Sequence, residues 1–295
     1  MIFSDYHMHS EFSSDSDTPM EQMIGRAIDL GLKQICFTDH MDYEYPKISL
    51  DHNYPSGDVY LDFLFDPDAY VTKLRQLQET YRKQIDVRIG IELGLQAQIQ
   101  PQVKQLMEQY DFDFAIGSSH LLYGDDPYYR SFWEKLGCNL APEKLLSNTN
   151  ADIVRKAIHD YFEDILNNIR LFPWFQVYGH LDYIVRYAPG KDTFYQVSDH
   201  MEIISEILKK LIASNRGIEI NTSGLKSGLK HANPHTDILK RYHELGGEII
   251  TVGSDAHYPE YIAYEFTQAK EFLQQSGFRY YTTFKEKKPE FRKLV

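Results

Sequence analysis

A chain of 295 residues has room for one large α/β barrel or for two ordinary domains, with ample core in either case. Its formal net charge of −12 excludes the concentrated positive footprint that binding to a phosphate backbone requires, so no nucleic-acid partner is expected. Two cysteines, Cys36 in an apolar run and Cys138 in a loop-like stretch, make no disulfide framework. With no secretory leader in "MIFSDYHMHS" and no run approaching ~18 apolar residues, the reading is a cytoplasmic protein without a membrane partner.

Short β-like runs alternate with helical patterns along the chain. Residues 2–7 ("IFSDYH") read as a first strand, and Thr18, Pro19 and Glu21 form a capping box that opens a helix ending at Gly31. Residues 34–40 ("QICFTDH") give a second strand. A long loop with Pro46, His52, Pro55 and Gly57 leads to a helix from Pro67, and residues 87–94 ("VRIGIELG") give a third strand. A short helix from Pro101 precedes the fourth, residues 112–120 ("FDFAIGSSH").

Between Leu121 and about Asn150 the chain carries a Gly-, Pro- and aromatic-rich insertion, which reads as a lid, before a helix over about 151–171. The fifth, sixth and seventh strands are residues 175–182 ("FQVYGHLD"), 217–224 ("GIEINTSG") and 248–257 ("EIITVGSDAH"), with helices beginning near Ser198 and Pro234 between them. A last helix spans about 261–275, "FRYYTTF" adds a final strand, and the basic run "KEKKPEFRK" is a solvated edge. No linker or composition break divides the chain. Seven β/α units in series predict one closed or nearly closed parallel barrel rather than two domains.

Each strand is apolar until its end, where polar residues gather: His7 and His9; Asp39 and His40; Glu92; Ser118 and His120; His180 and Asp182; Asn221; Asp255 and His257. In a parallel barrel the C-terminal ends of all strands share one face, so these residues converge. Taken singly, a histidine here could be satisfied by a backbone carbonyl, and Glu92 by a lysine. Together, buried imidazoles and carboxylates without a cation would be costly, and the set suits Zn, Mn or Fe with positions left for water and substrate. Among the other histidines, His159, His200 and His243 fall in helical patterns and read as surface or packing residues, while His52, His231 and His235 fall in loops.

The motifs "HMH", "TDH", "GIELG", "GSSH", "GHLD" and "GSDAH", in this order and at strand ends, resemble the polymerase and histidinol phosphatase (PHP) superfamily of metal-dependent phosphoesterases. "EINTSGLK" and the long segment between "GSSH" and "GHLD" resemble its histidinol-phosphate phosphatase branch. The resemblance implies a distorted (β/α)7 TIM-like barrel over residues 1–295 and two to three divalent metal ions, in agreement with the seven strands counted. It assigns His7, His9, Glu92 and Asp255 to a first, and has Glu92 bridge to a second held by His120 and His180. A third falls to Asp15, His40 and His257, with Asp15 standing where a histidine is frequent and Asp17 as the other candidate.

Phosphate-ester hydrolysis needs an activated water, neutralised phosphoryl oxygens and a stabilised leaving group, which bridging metals can supply. Asp255 and His257 are candidates to orient or relay the proton, with Glu92 as the central carboxylate. Arg186, Ser223 and Lys226 are candidates for the remaining phosphate charge. The expected substrate is a small phosphorylated metabolite, by resemblance L-histidinol phosphate. In the lid, Asp125 and Asp126 with Tyr128, Tyr129 and Trp133 are expected to receive a cationic, ring-bearing leaving group. Two rivals are a phosphodiesterase or nucleotide-directed enzyme, which the acidic composition disfavours, and a non-catalytic metal-binding module, whose mark would be missing ligands.

Overall fold

The computed structural model describes residues 1–46 and 63–295, so His52, Pro55 and Gly57 lie outside the described residues. Eight strands form one sheet: β1 (Ser4–Asp5), β2 (Gln34–Phe37), β3 (His40–Met41), β4 (Asp86–Gly94), β5 (Phe114–Ser118), β6 (Val177–Tyr178), β7 (Gly217–Asn221) and β8 (Ile250–Gly253). All pair in parallel, in the order β1-β2-β4-β5-β6-β7-β8, and β3 runs on beside β4 with His40 opposite Glu92. The ends of that order meet. Tyr6 N–H donates to Val252 O at 3.0 Å and Asp255 N–H to His7 O at 2.8 Å, and Met8 bridges Ala256. The result is a nearly closed barrel of seven parallel strands with helices between them, as the alternating pattern predicts.

Strand periodicity sorts the side chains into two sets. Ile89, Ile91 and Leu93 of β4 join a core cluster that includes Leu74 and Leu77 of the helix Pro67–Tyr81 and Val103 of the helix Gln100–Gln109. Full burial of each such side chain contributes about 1.5–3 kcal/mol, and this layer holds the helices on the barrel. Alternate positions form a smaller cluster of Tyr6, Cys36, Phe114, Ile116 and Val177, which fills the barrel interior. Further along the same alternation, toward the C-terminal ends, come Glu92, Ser118, Glu219 and Asn221. The interior therefore changes from apolar to polar along its axis.

Phe284 closes the apolar end. The expected final strand forms as β9 (Tyr280–Lys285), but in an antiparallel hairpin with β10 (Lys288–Lys293) rather than in the barrel sheet. Glu286 and Lys287 turn the chain with φ of 50° and 63°, as a tight two-residue hairpin requires. Phe284 stacks on Phe114 at 5.0 Å, and its backbone N–H and C=O both bond the Tyr6 hydroxyl. The basic run that contains β10 is an exposed edge, as read from its composition.

Helix starts follow local chemistry in most places. Asp66 accepts from Asp68 N and Ala69 N ahead of Pro67, and Ser147 accepts from Asn150 N at the start of the 24-residue helix Asn148–Leu171. The capping box at Thr18 does not form. The first helix spans Met20–Asp29, and its leading N–H, on Met20, is taken by the Glu11 carboxylate at 2.7 Å. The Thr18 hydroxyl instead donates to His257 O at 2.9 Å, which ties the opening loop to the end of β8.

Candidate metal centre

Glu92 stands at the centre of the polar end. Its Oε1 lies 2.9 Å from His180 Nε2 and 3.2 Å from His120 Nε2; its Oε2 lies 3.1 Å from His7 Nε2, 3.0 Å from His40 Nδ1 and 3.7 Å from His9 Nε2. Asp255 Oδ1 faces the same two histidines of the first strand, 3.7 Å from His7 Nε2 and 3.2 Å from His9 Nε2. Asp15, at the rim, lies 3.1 Å from His257 Nε2 and 3.8 Å from His40 Nε2, whereas Asp17 makes no such approach. All nine side chains expected at the centre are thus gathered there. His40 turns Nε2 toward Asp15, its expected neighbour, and Nδ1 toward Glu92.

Several imidazoles have their outward nitrogen engaged as well. His7 Nδ1 lies 2.7 Å from Glu219 Oε1, and His120 Nδ1 lies 2.5 Å from Asp42 Oδ2. His9 Nδ1 meets Ser13 Oγ at 3.2 Å, and that hydroxyl donates in turn to Asp39. A carboxylate only accepts, so these contacts fix the proton on Nδ1 and leave Nε2 facing inward. Glu219, Asp42 and Ser13 are not among the residues anticipated from the sequence. A signal existed for Glu219, because "GIE" occurs at 90–92 and again at 217–219 and places each acid at an interior strand position.

Electrostatics and orphaned atoms show that the donor set fits cations. Burial alone would push the His7 imidazole down, but Glu219, Glu92 and Asp255 hold it well above its ordinary value; the same contest lifts His40 to about 9. Burial would raise the Glu92 carboxyl, yet His7, His120 and His40 hold it well below the usual range. His9 goes the other way, pushed well down by burial and by His257 and His40. Buried His9 Nε2 and His40 Nδ1 lie 3.2 and 3.0 Å from the Asp255 and Glu92 carboxylates without the geometry of a hydrogen bond. Four groups of donors lie close enough to share an ion: His7, His9 and Asp255; His7, Glu92 and His180; His40, Glu92 and His120; and His9, His40 and His257.

Two of these residues hold unusual backbone. His180 has φ of 23° and Asp255 φ of 56°, conformations that non-glycine residues adopt where the surrounding structure imposes them.

The centre opens into a cavity of about 550 Å³ whose lining includes Arg186, Ser223 and Lys226, the three side chains expected to meet phosphate. Arg186 is buried and forked onto three acceptors: Asn233 Oδ1 at 2.6 Å from Nε, Asp255 Oδ2 at 3.0 Å from Nη1 and Asn221 Oδ1 at 2.8 Å from Nη2. Lys226 is exposed, its ammonium 4.4 Å over the Tyr261 ring, with no carboxylate partner among the described residues.

The expected lid is only partly at the cavity. Tyr128 lines it. Asp126 is buried behind the wall and accepts from Tyr45 Oη at 2.6 Å, while Asp125 turns outward to Lys135 at 2.8 Å. Trp133 is buried, with Nε1 donating to Pro127 O, and neither it nor Tyr129 lines the cavity. Of the five side chains expected to receive the leaving group, only Tyr128 faces the cavity. His231 and His235 do not line the cavity either. His200 is buried, while His159 and His243 are exposed on their helices.

Fold and donor set together define a barrel whose strand ends could hold metal ions, and comparison with known proteins places it. The PHP domain matches residues 5–223, and the chain belongs to that family. A histidinol-phosphatase of Lactococcus lactis subsp. lactis is 29% identical over 95% of this chain and 93% of its own. The "Probable histidinol-phosphatase" of Clostridium acetobutylicum is 32% identical over 95% of each chain. Among solved structures, histidinol phosphate phosphatase from Lactococcus lactis, complexed with zinc, L-histidinol and phosphate, superposes with a TM-score of 0.77 at 28% identity, covering 97% of this chain and 98% of that one.

Proposed function

We propose that this protein is a metal-dependent phosphomonoesterase that hydrolyses L-histidinol phosphate to L-histidinol and phosphate, a step of histidine biosynthesis. The observation that carries this reading is the convergence of nine donor side chains, Glu92 at their centre, at the mouth of a cavity that also holds Arg186 and Lys226. The relatives named histidinol-phosphatase, and a similar structure holding L-histidinol and phosphate, supply the substrate.

In this reading two to three divalent ions, Zn, Mn or Fe, are held by His7, His9, Asp15, His40, Glu92, His120, His180, Asp255 and His257. Asp15, Glu92 and Asp255, with Asp42 and Glu219 behind them, carry negative charge that such ions would balance. When bound, the ions neutralise phosphoryl oxygens and make water acidic enough to attack near neutral pH.

The chain's own groups do the rest. Arg186 holds Asp255 by Oδ2, which leaves Oδ1 facing His7 and His9, so Asp255 and the neighbouring His257 would orient the attacking water from the ligand set. Arg186, Ser223 and Lys226 bind the phosphate group, and the tyrosine-rich wall formed by Tyr45, Tyr128, Tyr183 and Tyr187 receives the leaving alcohol. We place the enzyme in the cytoplasm, acting as one barrel unit on a free metabolite and not on nucleic acid. Among the described residues, no helix is long and apolar enough to cross a membrane.

The test is a panel of phosphate esters offered to metal-reconstituted protein. L-histidinol phosphate is expected to show the highest kcat/KM. No measurable turnover of it, with turnover of another monoester, would move the assignment to that ester.

A further inference from the structure

The carboxylate of Glu219 is wholly buried and reaches two different strands of the metal centre. Oε1 lies 2.7 Å from His7 Nδ1, while Oε2 accepts from the backbone N–H of His180 at 3.0 Å and from Asn221 Nδ2 at 3.1 Å. Both oxygens are occupied by N–H donors, so Glu219 acts through its neighbours and not as a ligand.

Two further observations concern the same contacts. His180 holds its left-handed φ of 23° with its own N–H on Glu219. The space for the carboxylate is kept by Gly253, where a Cβ would sit 2.2 Å from Glu219 Oε1 and 2.3 Å from His7 Cβ. A side chain at 253 would displace either the carboxylate or the histidine it holds.

We infer that Glu219 is a positioning residue that fixes the tautomer and ring direction of His7 and the backbone of His180, so that each presents its Nε2 beside one oxygen of Glu92. The inference rests on the metal reading of the centre. It assigns to one carboxylate the alignment of two ligands that lie 173 positions apart in the chain and belong to strands not paired with each other.

Glu219→Gln tests it, because an amide has one acceptor oxygen and cannot accept from both His7 and His180. Metal-free wild type and variant are titrated with Zn²⁺ by calorimetry, and bound ions are counted after dialysis. The expected result is a folded variant in which ions held by His7 and His180 bind roughly 10–100-fold more weakly, while an ion at Asp15, His40 and His257, which Glu219 does not touch, binds as in wild type. Glu219→Asp, which keeps the charge but shortens the reach, is expected to show the same selective loss and is read in its place should Glu219→Gln fail to fold. Unchanged affinity for every ion would overturn the inference. So would uniform weakening of all ions with a lower Tm of the metal-free protein, the mark of general structural support. Wild type that binds less than one Zn²⁺ would instead overturn the metal reading itself.

Discussion

Arg186 and Asp255 meet at 3.0 Å with both side chains buried, one from the short 3-10 turn after β6 and the other from just beyond β8. The guanidinium and the imidazoles of His7 and His9 hold the Asp255 carboxyl well below its usual range, against a burial penalty that would raise it. Arg186→Met would leave that carboxylate without its guanidinium and orphan Asn233 Oδ1, while Asn221 Oδ1 keeps the Ser223 N–H. In metal-free protein it should cost about 3–5 kcal/mol in denaturant unfolding. Arg186→Lys keeps the charge but not the three-way fork, so it should retain more stability and still raise KM for the phosphate ester about tenfold or more. Equal stability of Arg186→Met and wild type would mean that the pair contributes nothing to the fold.

Glu92→Gln should abolish hydrolysis with the fold intact. Both oxygens of Glu92 lie within 3.2 Å of imidazole nitrogens, and a neutral amide with a single acceptor can satisfy only one side of that arrangement. Retention of more than a tenth of wild-type activity with full metal content would show that the carboxylate does not bridge.

Protein prepared without chelators should carry two to three transition-metal ions per chain by elemental analysis. Stripping them should remove activity and lower Tm, because ligand at 1,000 times its dissociation constant stabilises the folded state by about 4 kcal/mol. Less than one ion per chain would sink this reading.

What could be read in advance, and what could not, follows from direction. Most candidate metal donors were legible because they end apolar runs, and a parallel barrel sends all such ends to one face. Glu219 was harder to see, since an acid inside a strand does not announce which interior neighbour it meets. Asp125 and Asp126 illustrate the same limit. The turn in which Leu122 and Asp125 exchange backbone bonds sends one acid to Lys135 and the other behind the cavity wall, a choice made by the turn and not by residue type. Thr18 has the composition of a cap, yet Glu11 takes the helix N–H because the loop folds back onto His257.

Those two acids should therefore respond differently to substitution. Asp125→Asn removes a surface pair and should change stability by at most ~1 kcal/mol, with KM unaltered. Asp126 accepts from Tyr45 Oη at 2.6 Å, Tyr183 Oη at 3.4 Å and Tyr128 N at 2.7 Å, and all three tyrosines line the cavity. Asp126→Asn should raise KM for L-histidinol phosphate by disturbing that wall. Burial pushes the Asp126 carboxyl up to about 6, above an unfolded value of about 3.9, so the fold favours its protonated form. That contribution is fully present below about pH 4 and is lost as pH rises through about 6. The Asn side chain stays neutral throughout. Wild type should consequently lose about 3 kcal/mol relative to Asp126→Asn between pH 4 and pH 7, measured by denaturant unfolding across that range. A difference that stays flat with pH would show that Asp126 titrates like an exposed carboxylate.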